Sequence, residues 1–160
     1  MESYYLRETS IKTKVYLGLC PLILLGASVW FTADDIALKL GMLFQVYISI
    51  LLYFLSGFFW SQLRFKNANK ITSLSFYPFF LASGGGLLTF GFNPVYGLTF
   101  ILLGFLVVGL VKIPDRLINL YPVWFKKLLY KSNVMICICL VVMLAFWLNP
   151  YSEPLKSFIK

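Results

Sequence analysis

Long runs without a charged side chain limit the folds open to this chain more than any other feature does. Residues 41–63 contain no Asp, Glu, Lys or Arg, and four further runs of about twenty residues share this property. A soluble helix would interrupt such a run with a polar face every few residues. Only 12% of the chain is charged, against about 25% in an average soluble domain. The runs therefore indicate segments that need apolar surroundings on nearly every side, as a lipid bilayer provides.

The length and pattern of the runs favour membrane-spanning helices. A transmembrane strand would alternate apolar and polar residues over about ten positions, whereas these runs are apolar on all sides for about twenty. Helices also satisfy their own backbone hydrogen bonds, as a membrane requires. We therefore predict an all-α integral membrane protein, a five-helix transmembrane bundle formed by residues 15–148 between a basic segment at 1–14 and a short tail at 149–160. The five predicted spans cover residues 15–33, 41–63, 71–90, 94–111 and 132–148.

Glycine, proline and asparagine mark two special places along these spans. The sequence Gly-Phe-Asn-Pro at residues 91–94 is a turn signal, so the third and fourth spans are predicted to form a tight helical hairpin. Three consecutive glycines at residues 84–86 weaken the third span more than any other residues do. They permit either close packing or a kink, and the pattern does not choose between the two.

The basic residues indicate which way the chain crosses the membrane. Lys and Arg in short loops are held on the cytoplasmic side, and eleven of the 14 basic residues fall on one side of the predicted spans. The first run is longer than the core of a signal peptide, so it is predicted to remain as a span. Five spans then place the N-terminus inside and the C-terminus outside. The eleven are Arg7, Lys12, Lys14, Arg64, Lys66, Lys70, Lys112, Arg116, Lys126, Lys127 and Lys131.

The polar stretch between the fourth and fifth spans predicts an interfacial amphipathic segment. Apolar residues recur there at helical spacing, with basic residues on the other faces, which is typical of a helix in the headgroup region. Pro122 lacks an amide N–H, so it is predicted to break this segment and to begin a helix that continues into the fifth span. A plain membrane anchor and a specific lipid or partner site both fit the pattern. The candidate lipid or partner contacts are Arg116, Trp124, Lys126, Lys127 and Lys131.

Small and mildly polar residues inside the spans are the candidate packing positions. Small side chains let helix backbones approach closely, and Gly97 and Gly104 share one face of the fourth span. Gln45, the most polar residue of the second span, is interpreted as reaching toward the membrane interface. The residues singled out for packing are Gly18, Pro21, Gly57, Trp60 and Pro78.

Residues that usually carry chemistry are scarce. The chain contains no His, which removes the usual general base and most zinc sites. No charged residue lies in the central part of a predicted span, whereas proton relays and ion pathways normally need one. Three cysteines in apolar surroundings are inert by default. We therefore expect no enzyme activity, no cofactor and no metal. The formal charge of +8 is interpreted as an orientation signal rather than a nucleic-acid site, because no soluble domain carries a basic patch.

Several short motifs follow one another in an order that carries a family resemblance. The second span runs from a Tyr through Leu and Gly to Trp, the first and third spans each contain a Pro, and Pro-x-Trp-Phe precedes the fifth. These positions are Gly18, Pro21, Tyr47, Leu51, Phe54, Leu55, Gly57, Trp60, Pro78, Asp115, Pro122, Trp124 and Phe125. Over residues 15–148, this order resembles a family of small membrane proteins of unknown function that includes transmembrane protein 69.

The resemblance implies five spans in a bacterial or mitochondrial inner membrane. The chain departs from the family pattern at Phe59, where the family often has His, and at Phe125, where it has Tyr. Any ligand role of that His would be absent here.

Two classes of function fit these observations. The first is a non-enzymatic structural, assembly or accessory component of a membrane complex, which the scarcity of catalytic and ionisable groups favours. The second is a small transporter or lipid-handling protein, in which Pro21, Pro78 and the three glycines would give broken helices around a site. A membrane enzyme is a third reading, and its candidate carboxylates lie at span ends, where capping is the usual role. The expected partners are the lipid bilayer, anionic lipids and other membrane proteins.

The five-span arrangement predicts opposite sides for two reporter fusions. A reporter inserted at Lys66 is expected to give the signal of the inner side, and one fused after Lys160 that of the outer side, because three predicted spans separate them. A third fusion at Asn93, in the predicted hairpin, should match the one after Lys160. Signals from the same side at Lys66 and Lys160 would contradict five spans.

Overall fold

Five long helices make up the described part of the chain in this computed structural model. The structure describes residues 2–61, 68–110 and 122–149, and the backbone there is helical apart from short turns. The all-helical class predicted from the sequence is therefore confirmed for these ranges. The helices are α1 (Glu2–Ser28), α2 (Asp34–Ser61), α3 (Ala68–Gly91), α4 (Pro94–Leu110) and α5 (Val123–Trp147).

Three helices in the described ranges are long and apolar enough to cross a membrane. They cover Glu8–Ser28, Asp34–Phe58 and Val123–Trp147, and a shorter apolar helix covers Pro94–Val107. Large apolar side chains are also exposed on the outer faces of the bundle, as at Phe54, which is 74% exposed. A helix that is apolar on its outer face as well as its inner one is typical of a membrane span.

The helices form a closed ring in which each packs against the next along the chain. α1 packs on α2, α2 on α3, α3 on α4 and α4 on α5, and α5 closes the ring against α1. The Lys12 ammonium, in the first half of α1, lies 5.8 Å from the ring centroid of Trp124, in the first turn of α5. Trp30 and Phe146, just after α1 and near the end of α5, lie with ring centroids 6.2 Å apart. α5 therefore runs parallel to α1, as four successive antiparallel steps along the chain require.

Apolar side chains from all five helices fill the interior of the ring. Phe44 and Ile48 of α2, Ile101 of α4 and Leu140 of α5 are fully buried, and Leu22 of α1 is nearly so. The buried residues of α2 recur at steps of four, so one face of this helix points inward along its length. The inner faces stay together through many small van der Waals contacts.

A close backbone approach joins α3 to α4 at glycines on both helices. A Cβ built at Gly85 would lie 2.6 Å from the Ile101 side chain, and one built at Gly97 would overlap the backbone oxygen of Gly85 and the hydroxyl of Thr89. α3 continues through residues 84–86 as one helix. Of the two roles open to the three glycines, close packing is the one that Gly84 and Gly85 have, whereas Gly86 meets open space.

Two tyrosine hydroxyls link neighbouring helices by donating to glycine carbonyls. Tyr47 of α2 donates to the Gly18 oxygen of α1 at 2.6 Å, and Tyr77 of α3 donates to the Gly104 oxygen of α4 at 2.8 Å. Such bonds contribute about 0.6–2 kcal/mol each between helices in a membrane. Gly97 and Gly104, which share one face of α4, therefore both contact α3, as their spacing predicts.

The first connection differs from the prediction. α1 ends at Ser28 rather than at residue 33, and α2 begins at Asp34 rather than at residue 41. Asp34 and Asp35 come directly after the predicted first span, and in the structure they occupy the first turn of α2. Carboxylates are favourable there because the helix dipole is positive at its N-terminus.

The other two connections that the sequence marks are confirmed. α3 ends at Gly91 and α4 begins at Pro94, where the missing amide N–H costs nothing. The Asn93 side-chain oxygen accepts a hydrogen bond from the amide of Val95 at 2.9 Å and so caps α4. Pro122 precedes α5, which runs unbroken into the predicted fifth span. The rest of the predicted interfacial segment, residues 115–121, lies outside the described residues.

The α3–α4 contact predicts opposite effects for two glycine substitutions. Gly97→Ala would place its Cβ against the backbone of Gly85, and overpacking of this kind costs about 1–3 kcal/mol. Gly57→Ala meets open space in α2, and the better helix propensity of Ala should stabilise it by up to about 1 kcal/mol. Thermal unfolding in one detergent should therefore show a lower Tm for Gly97→Ala and an equal or higher Tm for Gly57→Ala. Equal losses in both would contradict this packing.

Candidate functional site

The predicted lipid or partner contacts lie at the end of the bundle where α1 and α5 begin. Lys127 and Lys131 are exposed and Lys126 is half-buried in the first turns of α5, and Lys14 of α1 is exposed near the same end. Arg116 lies outside the described residues. We call this region the basic end, defined by Lys12, Lys14, Lys126, Lys127 and Lys131.

Trp124 is held at the basic end by aromatic and cationic neighbours. Its ring lies edge-on to Phe125 with centroids 5.7 Å apart, and the Lys12 ammonium lies 5.8 Å from its centroid. Phe125 in turn lies 6.3 Å from Phe58, near the end of α2. Lys12 also forms an ion pair with Glu8 on its own helix. These contacts bring α1, α2 and α5 together at one end of the bundle. Lys14, Lys127 and Lys131 are exposed at this end.

The predicted packing residues fall into different surroundings. Pro78 is buried within α3, Pro21 is half-buried within α1, and Gly18 contributes its carbonyl to the bond from Tyr47. Gly57 is exposed, and a Cβ built there meets no atom within 4 Å. The packing predicted at Gly57 is therefore not found within the described part of the chain, because this face of α2 points away from the bundle.

Trp60 has a contact, but it is a peripheral one. Its side chain is 54% exposed and lies edge-on to Phe76 of α3 with ring centroids 5.8 Å apart. A contact of this kind fits a tryptophan that anchors the helix at the membrane interface as well as it fits the predicted packing role.

Gln45 occupies a different place from the one expected. Its side chain is 1% exposed and points into the bundle, so the interpretation that it reaches the membrane interface is wrong. The amide nitrogen and oxygen, like the hydroxyls of Thr89 and Ser132, find no hydrogen-bond partner among the described residues. An unpaired buried polar group costs about 1–3 kcal/mol. The apolar positions one turn on either side of Gln45 fix which face of α2 points inward, and Gln45 follows that face.

A groove of about 500 Å³ runs between α2 and α3 on the outer surface of the bundle. Small residues of both helices leave the space, and larger apolar residues form the sides. The lining residues are Val46, Ser49, Ile50, Tyr53, Ala82, Ser83, Gly86, Leu87 and Phe90. The volume lies within the range of pockets that bind small molecules, about 300–1,000 Å³.

The polar groups in the groove are hydroxyls. Tyr53 and Ser83 share a hydrogen bond at 3.0 Å across the two helices, and the Ser49 hydroxyl donates to the Gln45 carbonyl of its own helix at 3.0 Å. A Cβ built at Gly86 would meet no atom within 4 Å, so this glycine leaves the groove open. With these hydroxyls satisfied, the surface is suited to an apolar chain rather than to a charged substrate.

The groove is not predicted from the sequence. Of the three glycines marked there, Gly86 lies at the groove, and so does Ser49. Their meeting depends on which face of α2 packs against α3, and the hydroxyl pair of Tyr53 and Ser83 joins residues 30 positions apart. The residues that usually carry chemistry, such as His, Cys and the charged residues, did not predict the groove.

The chain matches no family model, no curated protein and no solved structure. The resemblance to the family that includes transmembrane protein 69 stays a prediction. Within the described ranges, no three His, Cys, Asp or Glu side chains are grouped closely enough to bind a metal ion.

The basic end predicts a salt-dependent contact with anionic lipid. Each lysine near an anionic membrane surface contributes about 1 kcal/mol, so replacing Lys126, Lys127 and Lys131 by Gln should reduce the anionic lipid that co-purifies in mild detergent. The loss should be largest at low salt, where screening is least. Lipid mass spectrometry across a salt series measures it. Replacing the same three lysines by Arg, which keeps their positive charges, is the control and should leave the retained anionic lipid unchanged. Equal retention by the triple variant and the parent would contradict the contact.

Proposed function

We propose that all five helices cross a bilayer as a multi-pass bundle with the N-terminus inside. Three of them have the length and apolar character of spans. α3 has 24 residues and α4 has 17, which at 1.5 Å per residue gives about 36 and 26 Å, close to the 30 Å of a hydrocarbon core. A two-residue turn and the contact of Gly85 with Gly97 hold these two helices side by side within the same ring. A bilayer that contains α1, α2 and α5 would therefore contain α3 and α4 as well.

The side on which the chain begins follows from the basic end. Lysines of α1 and α5 gather there, and this is the side that the distribution of Lys and Arg assigns to the cytoplasm or, in a mitochondrion, to the matrix. The host membrane implied by the family resemblance is a bacterial or mitochondrial inner membrane.

Within that membrane, we propose that the chain is a non-enzymatic structural, assembly or accessory component of a larger complex. The observation that supports this most is the filled interior of the ring. Phe44, Ile48, Leu98, Ile101 and Leu140 are fully buried along the bundle. Apolar side chains therefore fill most of the described interior, and Gln45, Thr89 and Ser132 are the buried polar side chains there. A transporter would instead need polar groups or unwound backbone around a central site that a substrate can enter.

The glycines also favour this function over transport. The transport alternative was motivated by the three glycines as a break in α3, but Gly85 packs against α4 and the helix continues through it. Lipid handling is supported by a different feature, the outer groove between α2 and α3, which lies on the surface that would face the acyl chains.

Loss of the chain tests the accessory function directly. Deleting the gene or depleting the protein should reduce the amount of one assembled membrane complex on a native gel, and re-expression of the parent should restore it. The purified chain in mild detergent should migrate with that complex, as a particle larger than one 18.4 kDa chain with its detergent.

A second measurement separates this function from transport. The parent reconstituted alone in vesicles should show no solute flux above that of empty vesicles. Flux by the isolated chain, together with unchanged membrane complexes after its depletion, would overturn the accessory function in favour of a transporter.

A further inference from the structure

One face of α2 carries an ordered series of chemical groups. Lys39, Leu43, Val46, Ile50 and Tyr53 follow one another at steps of four and three residues, so they form one stripe along the helix. All five side chains are exposed. The last three line the groove between α2 and α3, so the stripe runs from a charged residue into an apolar groove.

The antiparallel register of α2 and α3 places the mouth of the groove. The hydroxyl bond of Tyr53 with Ser83 and the ring contact of Trp60 with Phe76 show that the two helices run in opposite directions. Starting from the Tyr53–Ser83 pair, seven residues toward the start of α2 lead to Val46, and seven residues toward the end of α3 lead to Phe90. Phe90 is the last residue of α3 that lines the groove, so the mouth of the groove lies at this end.

Lys39 lies beyond the mouth of the groove, on the same stripe of α2. α3 ends at Gly91, one residue beyond Phe90, so the wall formed by that helix stops there. Lys39 lies seven residues before Val46, about 10.5 Å further along the axis of α2. Helical side chains tilt toward the N-terminus, so the Lys39 ammonium lies outside the groove, where the headgroup of a lipid whose acyl chain fills the groove would follow.

The charges outside the mouth have a definite order. Asp35 lies four residues before Lys39, about 6 Å further out along the same side of α2, and it is exposed. Among the described residues, no carboxylate lies within ion-pair distance of Lys39. Moving outward along α2, the order is an apolar groove, then a cation, then an anion.

This order is the complement of a phospholipid with an amine in its headgroup. Such a lipid presents an acyl chain, then a negatively charged phosphate, then a positively charged ammonium. We propose that the groove between α2 and α3 binds one acyl chain of a zwitterionic glycerophospholipid, with the phosphate on Lys39 and the headgroup ammonium on Asp35. The inference rests on the membrane insertion of α2 and α3 proposed above.

The two ends of the bundle would then select different lipids. At the basic end, lysines of α1 and α5 attract net negative headgroups. Beyond the groove mouth, Asp34 and Asp35 lie on the same helix as a single lysine, Lys39. Their negative charges repel a headgroup that lacks a cation. A zwitterionic headgroup satisfies both signs there.

Three substitutions test the parts of this site separately. Gly86→Leu should fill the groove without a clash, since a Cβ at Gly86 meets open space. Lys39→Gln removes the phosphate contact, and Asp35→Asn removes the ammonium contact, both at exposed positions. Gly57→Leu is the matched control, because it adds the same side chain to an exposed glycine of α2 outside the groove.

The measurement is native mass spectrometry after equilibration with equal amounts of phosphatidylethanolamine, phosphatidylcholine and phosphatidylglycerol that carry identical acyl chains. The parent for this measurement carries Lys126→Gln, Lys127→Gln and Lys131→Gln, so that phosphatidylglycerol bound at the basic end does not add to the lipid count. This parent and its Gly57→Leu variant should retain one lipid, enriched at least threefold in the two zwitterionic lipids. Gly86→Leu should lower that occupancy at least tenfold, and Lys39→Gln should lower it for all three lipids. Asp35→Asn should keep a lipid but lose the preference against phosphatidylglycerol.

Equal occupancy in the parent and Gly86→Leu would overturn the site, as would a headgroup preference that Asp35→Asn leaves unchanged. If Gly86→Leu changes the oligomeric mass but leaves the bound lipid unchanged, the groove binds a helix of another chain, and the proposal that it binds a lipid is overturned. Alkaline carbonate extraction of membranes distinguishes the underlying proposals. A chain that resists extraction and binds no lipid refutes only this inference, whereas a chain that carbonate releases refutes membrane insertion.

Discussion

The backbone approach of α3 to α4 at Gly85 and Gly97 is the contact on which the rest of the bundle depends. A two-residue turn forces these helices to lie side by side, and the missing side chains let them lie close. That closeness brings Leu98 and Ile101 of α4 into the interior, where they meet residues of α2 and α5. Tyr77 adds a hydrogen bond at the same interface. Inside a bilayer, where apolar burial drives helices together only weakly, such contacts carry much of the association.

The distribution of polar groups separates the inside of the bundle from its surface. The interior contains close-packed apolar side chains, with Gln45, Thr89 and Ser132 as buried polar exceptions. The organised polar features lie on the outside, as the hydroxyl pair of Tyr53 and Ser83 in the groove and the lysines of the basic end. Polar groups arranged on the outer surface suit contacts with lipid and neighbouring membrane proteins, which is what the proposed function requires. This arrangement favours an accessory function over transport through the bundle.

The two ends of the ring differ in charge for related physical reasons. At one end, the lysines beside Trp124 suit a membrane surface with net negative charge. At the other, Asp34 and Asp35 stabilise the first turn of α2 through the helix dipole, and the same carboxylates stand one turn outside Lys39. The capping of α2 thus places acidic groups beyond the mouth of the groove. In the proposed membrane arrangement, the contrast between the two ends would orient the chain and give each end a different preference for headgroups.

Local rules were enough for the features that depend on neighbouring residues. Charge-free runs predicted helices, Asn93 and Pro94 predicted the α3–α4 turn, and Pro122 predicted the start of α5, because each acts on backbone geometry within a few residues. The side of a helix that meets its neighbour depends on distant residues instead. Gln45 turned inward, Gly57 outward, and Gly84 and Gly85 packed against α4, according to which faces of α1 to α5 close the ring. The groove joins Tyr53 to Ser83, 30 residues away, and such a pairing exists only once the helices have packed.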